Sequence, residues 1–262
     1  MRKQSGYWLL LVFCFIIATQ TAFSAPAKRS RQEYEQQGSI IWEAKTEHKM
    51  MALTFDDGPD PRQTVAILDI LKRYDVKSTF FVIGKRVTKY PQLAKRIVED
   101  GHEMANHTYN HVYFNRKSSP NLILKEIQMT QQAIQTATGQ TPTLFRPPGG
   151  NYNDLIVDTS KQQGLKCIMW SWHQDTRDWD LPGINKIKNK VLNNARNGDI
   201  VLFHDYVHGR TQTPQALELI LPELKRRGYQ FVTVSELIKH SDPQRKVHQK
   251  RQEGRERKQP RL

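Results

Sequence analysis

Residues 51–83 read MALTFDDGPDPRQTVAILDILKRYDVKSTFFVI. Met51–Phe55 is a short β-type run, closed by Asp56-Asp57-Gly58-Pro59. Thr64–Tyr74 carries apolar residues at helical spacing, and Thr79–Ile83 is a second β-type run. Strand, helix and strand in this order make a crossover between parallel strands. The alternation continues along the chain. Further strands are expected at Glu103–Asn106, Leu144–Arg146, Lys166–Ser171, Ile200–Phe203 and Gln230–Val234. Helices are expected around Pro91–Asp100, Pro120–Thr138, Asn153–Gln163, Ile184–Ala195 and Pro214–Arg227, several of them ending at a glycine: Gly101, Gly139, Gly164, Gly228. Strands regularly separated by helices imply β/α units wound in one direction. A doubly wound open sheet would share this pattern. No nucleotide-type glycine-rich loop follows the first strand, so a β/α barrel is the expected architecture.

The chain has 262 residues, enough for one such barrel and a sizeable core. With 40 Lys and Arg against 26 Asp and Glu, the net charge is +14. That balance favours an anionic partner such as a phospholipid surface or an acidic wall polymer. No RNA- or DNA-binding motif accompanies it, and nucleic acid is not an expected partner.

The two ends differ from the middle. Arg2 and Lys3 precede an uncharged run, Tyr7 to Ala18, and Ala22 and Ser24 stand at −3 and −1 for cleavage after Ser24. This is the pattern of a secretory signal over residues 1–24, with an uncleaved membrane anchor as the alternative. Only Cys167 would remain in the mature chain, in a hydrophobic strand where core packing is its expected role. Residues 25–49 are polar and read as a linker or loosely docked arm. Ser241 to Leu262 holds eight Lys or Arg and three Asp or Glu with almost no apolar residue, and reads as a disordered basic tail.

The unusual polar residues fall where strands give way to loops, the rim on which parallel β/α folds build their sites. Asp56 and Asp57 follow the first strand, and at a turn two adjacent carboxylates can converge on one ion. His107 and His111 are spaced i, i+4, which on a helical turn puts two imidazoles on one face. Two histidines and a carboxylate from Asp56 or Asp57 would make a metal site with room for water. Arg146-Pro147-Pro148-Gly149-Gly150 follows another strand; Arg146 can hold a carboxylate ionised, and the glycines let a backbone N–H approach a ligand. Asp175-Thr176-Arg177-Asp178-Trp179 and Leu202-Phe203-His204-Asp205 close two more strands. Each stretch alone reads equally as an ordinary turn, a solvated loop or a structural histidine. Five of them at five strand ends do not read as coincidence.

Residues from Met50 to about Ile238 resemble the NodB-homology polysaccharide deacetylases, carbohydrate esterase family 4. The five motifs of that family occur in order: Thr-Phe-Asp-Asp-Gly-Pro, His-Thr-x-x-His, Arg-Pro-Pro-x-Gly, Asp-x-x-Asp-Trp and Leu-x-His. The resemblance implies a distorted (β/α) barrel of about seven parallel strands, spanning a catalytic domain at 50–240. It implies a divalent metal, zinc first with cobalt or nickel as options, held by Asp57, His107 and His111. It makes Asp56 the general base, held by Arg146, and His204 the general acid, adjusted by Asp178. Trp179 and Leu202 would wall the acetyl-methyl pocket, and the Gly149 N–H would meet the oxyanion. An aromatic residue is common in the family where Gly149 stands, and glycine there removes that aromatic surface from beside the sugar.

The implied protein is a secreted monomer that removes acetyl groups from N-acetylglucosamine residues of a polysaccharide, peptidoglycan first. Chitooligosaccharide or acetylxylan deacetylation is the alternative. A non-catalytic glycan-binding module is the rival of a different class, but every metal-ligand and base position is filled. The basic tail would hold the protein to an anionic wall or membrane surface.

Overall fold

Every residue of Met50–Asp56 is buried, which is why this stretch lacks the alternation of a half-exposed strand. It is the spine of a parallel sheet. The computed structural model describes residues 29–241. Its strands are β1 (Ile40–Ile41), β2 (Met50–Asp56), β3 (Thr79–Val82), β4 (Glu103–Asn106), β5 (Leu144–Phe145), β6 (Lys166–Ile168), β7 (Ile200–His204) and β8 (Gln230–Phe231). Its α-helices are α1 (Arg31–Gln36), α2 (Gln63–Arg73), α3 (Gly84–Lys89), α4 (Pro91–Glu99), α5 (Pro120–Thr138), α6 (Asp154–Gln162), α7 (Ile184–Leu192), α8 (Thr213–Arg226) and α9 (Val234–Lys239). The strands follow the order β1-β6-β5-β4-β3-β2-β7, and β8 joins the start of β2 at Met50 and Met51. All these pairings are parallel. Seven strands thus form one curled path, the distorted barrel expected.

Along β2 the side chains alternate between two buried environments. Leu53 and Phe55 pack with the helices, among Ile67, Leu68 and Leu71 of α2 and Leu217, Ile220 and Leu221 of α8. Phe55 stacks between Phe80 and Phe203 of the neighbouring strands, with centroids 5.0 and 5.6 Å away. Ala52 joins the other cluster, with Phe81, Ala105, Leu144, Ile168 and Ile200. Close packing on both faces fixes the register of β2. The positions of Asp56 and the residues after it are fixed with it.

The expectation of a linker or loose arm at 25–49 fails from Arg29 onward. Ser30 and Glu33 form a reciprocal capping box at the start of α1. Tyr34 is fully buried and donates to Asp154, Trp42 is nearly so, and Ile40–Ile41 pair with Cys167–Ile168. Three apolar anchors dispersed among polar residues give no periodic signal, yet they suffice to add β1 to the sheet. Cys167 is buried beneath it, and burial pushes its thiol up to about 12. The expected signal segment lies outside the described residues, and so does the basic tail beyond Ser241. Among the described residues no helix is long and apolar enough to cross a membrane.

Candidate active site

Parallel pairing brings the C-terminal ends of β2, β4, β5 and β7 to one rim. Asp56 ends β2, opposite Phe81 of β3 and His204 of β7. Asp57 then adopts a φ of 80°, a conformation uncommon for a residue with a side chain. That turn keeps both carboxylates on the same rim instead of sending them to opposite faces. Asp205 braces the turn: its carboxylate accepts from Gly58 N at 2.9 Å and from the Thr64 hydroxyl at 2.6 Å. A side chain at Gly58 would collide with it, a Cβ lying 1.9 Å from Asp205 Oδ2. Burial pushes the Asp205 carboxyl up to about 7.

His107 and His111 converge as expected, but not on a helical turn. The loop that carries them bends through left-handed Thr108 and His111, with φ of 65° and 58°. Glu126, buried on α5, holds it: its carboxylate accepts from Tyr109 N at 2.9 Å, Asn110 N at 2.7 Å and the Asn110 amide at 2.7 Å. His107 Nδ1 is 2.7 Å from the Arg146 carbonyl. An N–H on Nδ1 leaves the Nε2 lone pair facing the site.

Asp57 Oδ1 lies 3.4 Å from His107 Nε2 and 3.0 Å from His111 Nε2. It is nevertheless buried without a hydrogen-bond partner. One ligand atom from each of the three residues falls within 4.8 Å of the others. A buried, unsatisfied carboxylate oxygen among imidazole nitrogens is the environment a divalent cation satisfies. Burial alone would raise the Asp57 carboxyl, but the two imidazoles and His204 outweigh it and hold it well below the carboxylate range. A second trio, Glu43, His173 and Asp199, is equally close-set. There Asp199 already accepts from Gln174 and Arg196 N–H groups and lies 2.8 Å from His173 Nε2, while Glu43 is exposed.

Asp56 faces the same site from a different environment. Arg146 is fully buried and spends its guanidinium inside the barrel. It donates to Asp56 Oδ1 at 2.7 Å, Thr54 Oγ1 at 2.9 Å and the carbonyls of Ile168 and Met169, and lies 3.9 Å over the Phe81 ring. This satisfaction is what makes a buried charge pair tolerable. Removing one partner is therefore costly: Arg146→Met is expected to lower stability by about 3–5 kcal/mol, read as a reduced urea midpoint.

His204 closes the opposite side. Its Nδ1 is 2.7 Å from Asp178 Oδ1, while Asp178 Oδ2 accepts from His204 N at 2.8 Å and Thr213 Oγ1 at 2.6 Å. Burial would lower the imidazole, but the Asp178 carboxylate, with smaller help from Asp57 and Asp56, raises it to about 9. Asp56, Asp57, His107, His111, His204, Gly149, Trp179 and Leu202 all line one cleft of about 410 Å³. Arg146 and Asp178 stand buried behind it. Asp175, the first residue of the Asp-x-x-Asp-Trp motif, lines it too, as do Tyr113 and Trp170, which carry no motif signal; nor do the braces Glu126 and Asp205.

A family model described as polysaccharide deacetylase matches residues 43–168. A Bacillus cereus protein named peptidoglycan-N-acetylglucosamine deacetylase is 47% identical over 213 residues, which cover 80% of this chain and 98% of the relative. A crystal structure of a peptidoglycan N-acetylglucosamine deacetylase with 4-naphthalen-1-yl-N-oxidanyl-benzamide bound superposes with a TM-score of 0.77 at 32% identity, over 81% of this chain and 99% of that one. A family 4 acetyl xylan esterase from Clostridium thermocellum, in complex with a cobalt ion, superposes with a TM-score of 0.68 at 37% identity, covering 72% and 90%.

Proposed function

The chain belongs to the polysaccharide deacetylase family and is a deacetylating hydrolase, and we propose that its substrate is the N-acetylglucosamine of peptidoglycan. The observation that carries this reading is the cleft itself. One carboxylate, Asp57, is left unsatisfied between two imidazoles, and the other, Asp56, has one oxygen held by a buried arginine. Two adjacent acids are thereby given two roles by their surroundings.

Asp57, His107 and His111 would hold one divalent cation, zinc first, since two imidazoles and a carboxylate suit it and also cobalt or nickel. Bound there, the cation supplies Lewis-acid polarisation of the acetamide carbonyl and of the attacking water. Every other part of the chemistry belongs to side chains and backbone. Asp56, held in place by Arg146, accepts a proton from the water as its oxygen bonds to the acetyl carbon. The Gly149 N–H donates to the developing oxyanion. Trp179 and Leu202 enclose the methyl group. His204, protonated at neutral pH, gives its proton to the amine nitrogen as the C–N bond breaks, since an unprotonated amide nitrogen leaves poorly. One water is consumed, and acetate and a free amino sugar are formed.

The relative named for peptidoglycan N-acetylglucosamine deacetylation aligns over nearly its whole length, which favours that sugar. The expected signal segment at 1–24 and the net positive charge support a place of action at an anionic envelope outside the membrane, with the basic tail at 241–262 as the anchoring segment. Acetate release from peptidoglycan, chitooligosaccharides, acetylxylan and poly-N-acetylglucosamine tests the substrate. Treated and hydrolysed wall should contain glucosamine, with muramic acid still acetylated. Acetate from xylan alone would make the protein an esterase, and from chitooligosaccharides alone an oligosaccharide enzyme.

A further inference from the structure

Gly149 and Tyr113 claim the same piece of space. A Cβ on Gly149 would lie 2.7 Å from Tyr113 Cε1 and 3.0 Å from Cδ1. Tyr113 is two residues beyond His111 and sets its ring edge-to-face with that imidazole, centroids 4.9 Å apart. It lines the cleft, yet 59% of it is exposed, and 49% of Trp179, which lines the same cleft, is exposed too. A half-exposed aromatic ring fixed at the lip of a polar catalytic cleft is apolar surface held available for a ligand.

We propose that Tyr113 is the sugar-contacting aromatic of this protein, and that it takes from the His107–His111 loop the position an aromatic side chain at 149 would occupy. The ring offers a flat apolar face to the C–H face of the acetylated pyranose or its neighbour in the chain. Gly149 is then small because Tyr113 is large: the two positions are read as a pair, and filling one requires emptying the other. This inference rests on the polysaccharide reading given above.

The test is steady-state kinetics on an N-acetylglucosamine tetramer, or on whichever glycan of the panel the wild type hydrolyses best, with metal content measured for each variant. In Tyr113→Ala the KM should rise about tenfold, the equivalent of about 1.4 kcal/mol of lost contact, with the loss falling on KM far more than on kcat. Tyr113→Phe should rescue the KM, because the ring and not the hydroxyl makes the contact. Gly149→Ala should be penalised in the presence of Tyr113 and less so in the Tyr113→Ala background, a non-additivity that reports the shared space. The left-handed φ of 64° at Gly149 leaves a residual cost in both backgrounds. An unchanged KM in Tyr113→Ala overturns the inference. So does a loss of kcat together with bound metal, which would make Tyr113 a prop for His111. Inactivity of the wild type across the whole panel would instead reject the polysaccharide reading itself.

Discussion

Asp56→Asn is expected to keep its metal and lose turnover by a factor of about 10²–10⁴, the range for removal of a general base. The neighbouring Asp57→Ala should lose the metal and the activity together, and a chelator should do the same to the wild type, with zinc or cobalt restoring it. The structure gives each carboxylate a separate reason. Asp56 Oδ1 is bound by Arg146 at 2.7 Å, and its Oδ2 is 3.8 Å from His107 Nε2. Asparagine in its place keeps the size and an acceptor for Arg146 but cannot take a proton. Asp57 Oδ1 has imidazole nitrogens at 3.0 and 3.4 Å and no donor. Removing that oxygen leaves only the two imidazoles of the three-ligand set. Metal analysis beside kinetics separates the two. If Asp56→Asn emptied the site while Asp57→Ala retained metal, the roles would have to be exchanged.

How far the sequence discloses this depends on the range of the interactions. Helix α5 is read to the residue, Pro120–Thr138, because a proline at its first position and Gly139, with φ of 74°, mark its two ends. The strand β2 is legible from a run of apolar residues that needs burial on both faces. By contrast β1 is two residues long, and α3 begins at a glycine and spans six. Neither holds enough residues to show a period. At the far end, the run read as a strand to Val234 stops at Phe231, and Thr233 caps α9 instead, accepting from Glu236 N.

The site shows the same division. The motif residues are legible because their chemistry is unusual at strand ends. The loop geometry is not: the i, i+4 spacing of His107 and His111 suggests a helix, whereas Glu126 and two left-handed residues impose a turn. Glu126 acts across 16 residues from Asn110, and Asp205 across 147 from Gly58. No local pattern marks such partners. Burial of an acid on the inner side of a helix, or directly after a motif histidine, is the only trace they leave.

The second large effect concerns His204, whose removal as His204→Ala should also cost about 10²–10⁴ in turnover while leaving the metal in place. Its signature is in the pH profile. In the proposed mechanism the protonated imidazole is the working form, and its folded value of about 9 lies above the ordinary 6.5. Activity that needs this proton is therefore present at neutral pH and falls as pH rises through the alkaline range. A cation beside Asp57 offsets that carboxylate's contribution, so the limb belongs at about 9 or below. Asp178 supplies the largest raising contribution, through a 2.7 Å contact inside a site whose burial pulls the other way. Asp178→Asn keeps the shape and removes the charge. Burial then dominates, and the alkaline limb should move down towards or past neutrality, leaving the variant most impaired where the wild type still works well. The profile of kcat/KM against pH decides it. A limb that stays in place in Asp178→Asn would show that another group supplies the proton, and His204 would be left as an orienting contact at the cleft wall.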